Sequence, residues 1–265
     1  MGRRSNFLSI FLRFDDFVQR YALNYCAMIE CTDFFHEAFQ VLRKFHTAYE
    51  KMFVNLQKIR SMRIFAIGRN YAEHIKELNN ERPEDPVIFT KPDTALLRNN
   101  APFYYPGFSK DVHYEVELVL KIAKEGKNIE EKFASKYIDS IGIGIDFTAR
   151  DLQQKAKEKG LPWDIAKGFN GSAPISDKFI PVSEFKNLKD INFALEVDGQ
   201  LRQQGNTSLM LFGFDYIISY LSKFFTLKTG DLLFTGTPKG VGPVVIGNTL
   251  SAFIDNEKLL EFEVK

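Results

Sequence analysis

The segment Asp111–Leu120, reading Asp-Val-His-Tyr-Glu-Val-Glu-Leu-Val-Leu, sets two glutamates one residue apart in an otherwise apolar run. Its β-branched and aliphatic content reads as a strand. Alternation along a strand puts His113, Glu115 and Glu117 on one side and Tyr114, Val116 and Leu118 on the other. Neighbouring carboxylates on one face repel each other. A solvated outer face would relieve them, and so would a hard divalent cation held by oxygen. A third carboxylate, Asp146, ends the apolar run Gly142–Phe147, where a side chain can project into a site built from loops. Three such donors suit Mg2+ or Mn2+ and leave positions open for water and substrate. With no cysteine nearby and a single neighbouring histidine, zinc is disfavoured.

Other residue types could work beside such an ion. His74 and Glu77 are three apart, hence on one face of a helix, where the glutamate can hold one imidazole nitrogen and leave the other to take a proton. Taken alone, the same pair also describes a solvated helix face. Lys167, near Gly168 and Gly171, can set a cation over a developing oxyanion or enolate. Arg69, Lys91 and Arg150 are cations close to the same strands, fit for a substrate carboxylate or for ordinary salt bridges. The loop Gly236–Pro243 lacks the Gly-x4-Gly-Lys-Ser/Thr spacing and the following helix of a phosphate-binding loop. Its glycines instead allow close backbone approach, with Thr237 offering a hydroxyl.

The elements that must position these groups are mostly short strands. Met62–Gly68 reads as a buried strand, Asn70 as the cap of a helix from Tyr71 to Leu78, and Val87–Thr90 as a strand ended by Lys91-Pro92. Asn128 with Glu131 predicts a capping box for a helix ending near Gly142. Thr148 is the expected cap of a helix over Ala149–Lys159, closed by Gly160, before a loop from Leu161 to Pro174. Asp198-Gly199 and Asp255-Asn256 are hairpin turns, and Asp215–Phe225 is a buried helix followed by the strand Asp231–Thr235. Several strands, few helices and no regular alternation predict an α+β, mainly β architecture over residues 62–265.

Residues 1–61 differ. Phe35, Phe39, Leu42, Phe45, Tyr49, Met52, Leu56 and Ile59 recur at helical spacing, and nine basic residues face six acidic ones over the segment. A helical N-terminal extension is expected, packed on its own domain or a dimer mate, with docking of a partner or of a membrane surface as the alternative. A start at Met62 is a further reading. The net charge of +1 points to no nucleic acid, and no apolar run is long enough to span a membrane. Arg3-Arg4 and Met1-Gly2 imitate targeting signals without completing them. The two cysteines, Cys26 and Cys31, fit free thiols in a reducing compartment, and the expected location is cytoplasmic.

Taken together, the runs Gly68-Arg69-Asn70-Tyr71-Ala72-Glu73-His74, Phe89-Thr90-Lys91-Pro92, His113-Tyr114-Glu115-Val116-Glu117-Leu118 and Asp146-Phe147-Thr148-Ala149-Arg150-Asp151 are similar to the fumarylacetoacetate hydrolase family. So are Gly160-Leu161-Pro162-Trp163, Ala166-Lys167-Gly168-Phe169 and Thr235–Pro243, in the same order. The resemblance covers Met62 to the end, and the nearest branch looks like the acylpyruvate hydrolases that also decarboxylate oxaloacetate. It implies a mixed β-sandwich roll, a homodimer, and Mg2+ or Mn2+ at Glu115, Glu117 and Asp146. It also implies a lid helix carrying His74 and Glu77, which need not lie against the carboxylates before closure. Lys167 matches the family's active-site lysine, and Arg150, Gln153 and Thr237 fall where relatives contact a 2-oxo acid. Asp93 stands where relatives often have Ser or Thr, and Gly168 where some have Ser, and the compact members lack an equivalent of 1–61.

The expected reaction is metal-assisted hydrolysis of the carbon–carbon bond in acylpyruvates, with oxaloacetate decarboxylation in the same site. One rival is an isomerase or tautomerase of 2-oxo or 2-hydroxydienoic acids, which needs no water-activating dyad. The other is a non-catalytic protein that binds a partner through residues 35–59.

Overall fold

A computed structural model describes residues 62–78 and 80–265. The helical pattern over 35–59 and the rest of 1–61 lie outside the described residues. The architecture is mainly β. A mixed sheet runs in the order Val87–Lys91, Ile64–Gly68, Leu232–Phe234, Val116–Ile122, Ile138–Ile145, Ile180–Pro181. Only the pairing of Ile64–Gly68 with Leu232–Phe234 is parallel within it. A second sheet orders Gln200–Asn206, Asn192–Val197, Thr249–Ile254 and Glu257–Glu263. Among the described residues four α-helices complete the frame: α1 (Ala72–Glu77), α2 (Arg150–Lys159), α3 (Asp164–Lys167) and α4 (Phe214–Phe224).

The central strand Val116–Ile122 is buried along nearly its whole length, as expected of a strand covered on both faces. Asn192–Val197 instead alternates, burying Phe193, Leu195 and Val197. Fully burying a side chain of this size contributes roughly 1.5–3 kcal/mol. A register slip of one residue would turn all three outward, so burial fixes the pairing. The turn Asp198-Gly199 has positive φ at both residues, 53° and 70°, the twist that a two-residue hairpin requires. On α4, Phe214, Ile217, Ile218 and Leu221 are buried at three- and four-residue spacing, and the other face lies outward.

Several local expectations are corrected by long-range bonding. Asn70 does not cap α1: its buried amide donates to the carbonyls of Phe212 and Thr235 and accepts from the Phe212 N–H. The capping box at Asn128 and Glu131 does not form. Glu131–Tyr137 is a 3-10 helix without a side-chain cap, and the strand starting at Ile138 already contains Gly142. Thr148 lies in a short strand and Ala149 stands at the α2 N-cap, although Gly160 does close that helix in a left-handed conformation, φ 63°. The loop from Leu161 to Pro174 contains α3.

Most consequential is the break at Glu115. Val112–Tyr114 pairs with Thr148–Ala149 and Gly242–Pro243 in a small sheet, whereas Val116–Ile122 belongs to the large one. The chain passes from one sheet to the other at this glutamate.

Candidate active site

The strand pair Val116–Ile122 and Ile138–Ile145 sets the frame. Val116 is registered against Ile145, and the Asp146 N–H donates 2.8 Å to the Glu115 carbonyl, so the two carboxylate residues emerge opposite each other. Glu117 lies on the same side. Ligand oxygens of Glu115, Glu117 and Asp146 all fall within 4.8 Å of one another, and the three residues are buried. His113, expected on this face, leaves the group: its Nε2 pairs at 2.8 Å with Asp111 beyond the strand break.

Three cations close around this acidic cluster. Lys167 on α3 places Nζ 2.8 Å from Glu115 Oε2 and 2.6 Å from Asp146 Oδ2. Arg150, at the start of α2, donates 2.6 Å to Glu115 Oε1 and 2.7 Å to Gln153 Oε1. Lys91 Nζ pairs with Asp146 Oδ1 at 2.7 Å and also bonds the carbonyls of Lys167 and Ser172 and the Ser172 hydroxyl.

Glu117 is compensated least. It accepts the Gly236 N–H at 2.6 Å, but no cation lies within ion-pair distance among the described residues. Burial, then the Asp146 and Glu115 charges, push its carboxyl well above the ordinary value. Glu115 moves the other way: burial opposes its charge, but Lys167, Arg150 and His74 outweigh it and hold the carboxyl low. Burial also works against the Lys167 charge, and Asp146 and Glu115 more than restore it. An all-oxygen trio in which Glu117, among the described residues, has no cation of its own fits a hard divalent cation.

Gly236 makes this approach possible. At φ 101°, a Cβ there would stand 2.6 Å from the Asn70 Cβ, so a side chain would push apart the segments that carry Glu117's donor and the base of α1.

Helix α1 brings His74 and Glu77. His74 Nδ1 lies 3.2 Å from Glu77 Oε2, and Glu77 Oε1 accepts the Gly240 N–H at 3.0 Å, so the glutamate ties the helix to the Thr235–Pro243 loop. His74 is 6% exposed and lines one pocket with Arg69, Glu115, Glu117, Asp146, Lys167 and Thr237. Arg150 and Gln153 line it too. Glu77 and Lys91 stand behind it, as partners of His74 and Asp146. The free volume is about 30 Å3, close to one water's share, so a substrate enters only if α1 or the side chains shift. A larger apolar groove of about 940 Å3, bordered by Phe65, Phe108, Ile165 and Phe169, includes none of the three carboxylates. Volume alone does not mark the site.

Sequence reasoning missed Gln203. Its buried amide donates 2.9 Å to the Thr237 hydroxyl and 2.9 Å to the Pro238 carbonyl, and its oxygen accepts the Val116 N–H. It fixes the Gly-rich loop to the carboxylate strand across a long stretch of chain, and no local pattern signals that.

Burial, the largest influence, depresses His74 below 6.5, against upward pulls from Glu115 and Glu77. The imidazole is therefore neutral and ready to accept a proton near neutrality. Activity should fall as pH drops through its value, so the acid limb of kcat/KM is expected below 6.5. Glu77→Gln removes an upward pull and should move that limb lower still, with a reduced rate. A limb above 6.5, or one that Glu77→Gln leaves in place, would contradict the assignment of His74 as base.

Carboxylates, imidazole and lysine on this roll define a class. Residues 63–265 match the family model for the fumarylacetoacetate (FAA) hydrolase C-terminal domain, and the chain belongs to that family. It is 43% identical to the mitochondrial oxaloacetate tautomerase FAHD1 of Mus musculus, over 76% of this chain and 91% of that protein. It is 45% identical to the mitochondrial oxaloacetate decarboxylase of Dictyostelium discoideum, over 72% and 88%. Among solved structures, fumarylpyruvate hydrolase from Pseudomonas aeruginosa, in complex with Mn2+ and pyruvate, aligns with a TM-score of 0.73 and 37% identity, covering 77% of this chain and 89% of that one. The fold expectation, an α+β, mainly β roll, is borne out. Among the described residues no helix is long and apolar enough to cross a membrane.

Proposed function

We propose that residues 62–265 form a divalent-metal-dependent enzyme of 2-oxo acids that tautomerises and decarboxylates oxaloacetate and also hydrolyses acylpyruvates. The observation that carries this reading is a buried neutral base, His74, sharing one small pocket with three clustered carboxylates and Lys167. The names of the curated relatives support oxaloacetate, and the fumarylpyruvate hydrolase likeness supports hydrolysis.

The reactions share one electronic demand, negative charge on the 2-oxo oxygen. When bound at Glu115, Glu117 and Asp146, Mg2+ or Mn2+ would supply Lewis-acid stabilisation of that charge. The chain's own residues do the rest. In tautomerisation His74 takes the C3 proton of the keto acid, the C–H pair becomes the carbon–carbon double bond, and the imidazolium returns the proton to the 2-oxo oxygen to give the enol. A neutral imidazole serves this as well as it serves hydrolysis, so the dyad does not favour hydrolysis alone. In hydrolysis His74 takes a proton from water, the water oxygen bonds to the distal carbonyl carbon, and the carbon–carbon bond breaks with its electron pair passing to the enolate of pyruvate. Decarboxylation breaks the bond to CO2 with the same electron flow and needs no attacking water. Lys167 provides the positive charge facing the enolate, and Arg150, Gln153, Arg69 and Thr237 hold the acid.

The working unit is proposed to be a homodimer. Both curated relatives are named as mitochondrial, which supports that compartment ahead of the cytoplasm. The intact dyad and carboxylates speak against a purely partner-binding role.

The full-length chain, with Mn2+ and after chelation, should be tested on oxaloacetate and acylpyruvates, following enol absorbance and pyruvate release. Metal-dependent enol decay and pyruvate release support the reading. Enol decay alone reduces it to a tautomerase, and no turnover of either acid would overturn it.

A further inference from the structure

One face of α2 carries Arg150, Gln153 and Lys157, at i, i+3 and i+7. The first two are engaged at the carboxylate end of the pocket, as described above. Lys157 stands two turns along the helix from Arg150, about 10 Å at the usual rise per residue. A helical side chain leans toward the N-terminus, so its ammonium reaches back over the pocket, and it lies 5.8 Å from the Trp163 ring centre. Lys157 lines the same pocket as His74 and the three carboxylates.

Arg69 lines it as well, from the junction of the strand Ile64–Gly68 with α1. It holds a left-handed backbone conformation, φ 59°, which costs a non-glycine residue free energy and suggests that its placement matters. Among the described residues no carboxylate forms an ion pair with Arg69 or Lys157. Partial burial, then the charges of Arg150 and Arg69, press the Lys157 ammonium below its ordinary value, so the cations act on one another. Arg69, Arg150, Lys157 and Lys167 on the lining face Glu115, Glu117 and Asp146: four cations to three carboxylates before a metal ion is counted. A pocket charged in this way is completed by an anion with charge at both ends.

We propose that Lys157, with Arg69, forms a second anion subsite that takes the carboxylate remote from the 2-oxo group, so that the site selects 2-oxo dicarboxylates over 2-oxo acids with neutral tails. This rests on the 2-oxo acid reading above and adds the substrate's second charge. Lys157 is then a specificity residue: it touches the substrate tail and takes no part in bond breaking. The competing account is a lysine stem lying on an indole for packing alone.

The test uses the full-length chain loaded with Mn2+, with Lys157→Met to keep the stem and Lys157→Arg to keep the charge. Steady-state kinetics compare oxaloacetate with acetylpyruvate. Calorimetry compares malate with lactate, non-reacting 2-hydroxy acids that differ in the remote carboxylate. In Lys157→Met the oxaloacetate-to-acetylpyruvate ratio of kcat/KM should fall about tenfold, through KM and not kcat, and the malate-to-lactate affinity ratio should fall by a similar factor. Lys157→Arg should restore most of both. Unchanged ratios, or equal losses for charged and neutral tails, would overturn the subsite while leaving the 2-oxo acid reading in place. If wild type turns over neither substrate and binds neither malate nor lactate, the underlying reading fails, and the subsite with it.

Discussion

Glu117→Gln should lower turnover by about 10³-fold and Mn2+ affinity by at least about 100-fold, while leaving the metal-free chain no less stable than wild type. The amide is nearly isosteric and can still accept the Gly236 N–H through its oxygen. What disappears is the one carboxylate of the trio that, among the described residues, no cation neutralises. Its raised folded value means that ionised Glu117 costs the metal-free protein stability, and that the cost is relieved as pH falls through that value. Glutamine removes the cost at every pH. A divalent ion bound there would offset it in wild type, so Mn2+ at about 100 times its Kd should add about 2.7 kcal/mol and raise Tm by roughly 5–10 °C. The variant should show little of that rise. Thermal melts with and without Mn2+ check both statements, and a variant that gains as much from Mn2+ as wild type would remove Glu117 from the ligand set.

The second large effect belongs to the base. His74→Ala should cut tautomerisation and hydrolysis by roughly 10²–10⁴-fold with Mn2+ affinity nearly unchanged. His74 makes no hydrogen bond to the carboxylates; its own is to Glu77, and it acts on Glu115 only through charge across the pocket they share. Decarboxylation, which needs no water activated and no C3 proton removed, should retain much more of its rate. Parallel assays of the three reactions and a Mn2+ titration on one preparation separate these outcomes. Equal loss of all three reactions together with metal binding would mean that His74 supports the fold of the site and not its chemistry.

Much of this centre was legible in the amino-acid order because its signals are local. Period-two spacing placed Glu115 and Glu117 together, a strand end placed Asp146, three-residue spacing joined His74 to Glu77, and the hairpin at Asp198-Gly199 followed from turn chemistry. What escaped depends on partners distant in sequence. Asn70, Asn128 and Thr148 have the chemistry of helix caps, yet Asn70 is spent on carbonyls more than a hundred residues away, and Thr148 on a sheet pairing. The strand break at Glu115 arises because its two halves find different sheets. That choice is tertiary, and no residue between Asp111 and Leu120 announces it. Gln203 and the burial of Lys91 against Asp146 are invisible for the same reason. Lys157 is an intermediate case: the helix was readable, but only the folded pocket shows which face looks inward.

The account depends on Glu115, Glu117 and Asp146 gripping one cation, and a Mn2+ titration followed by electron paramagnetic resonance tests that most directly. Full-length wild type should bind one ion per chain, with a spectrum altered by adding pyruvate, and the same binding should be lost when Glu117 and Asp146 are both replaced by their amides. Saturable binding that survives the double replacement, or no binding in wild type, would contradict it.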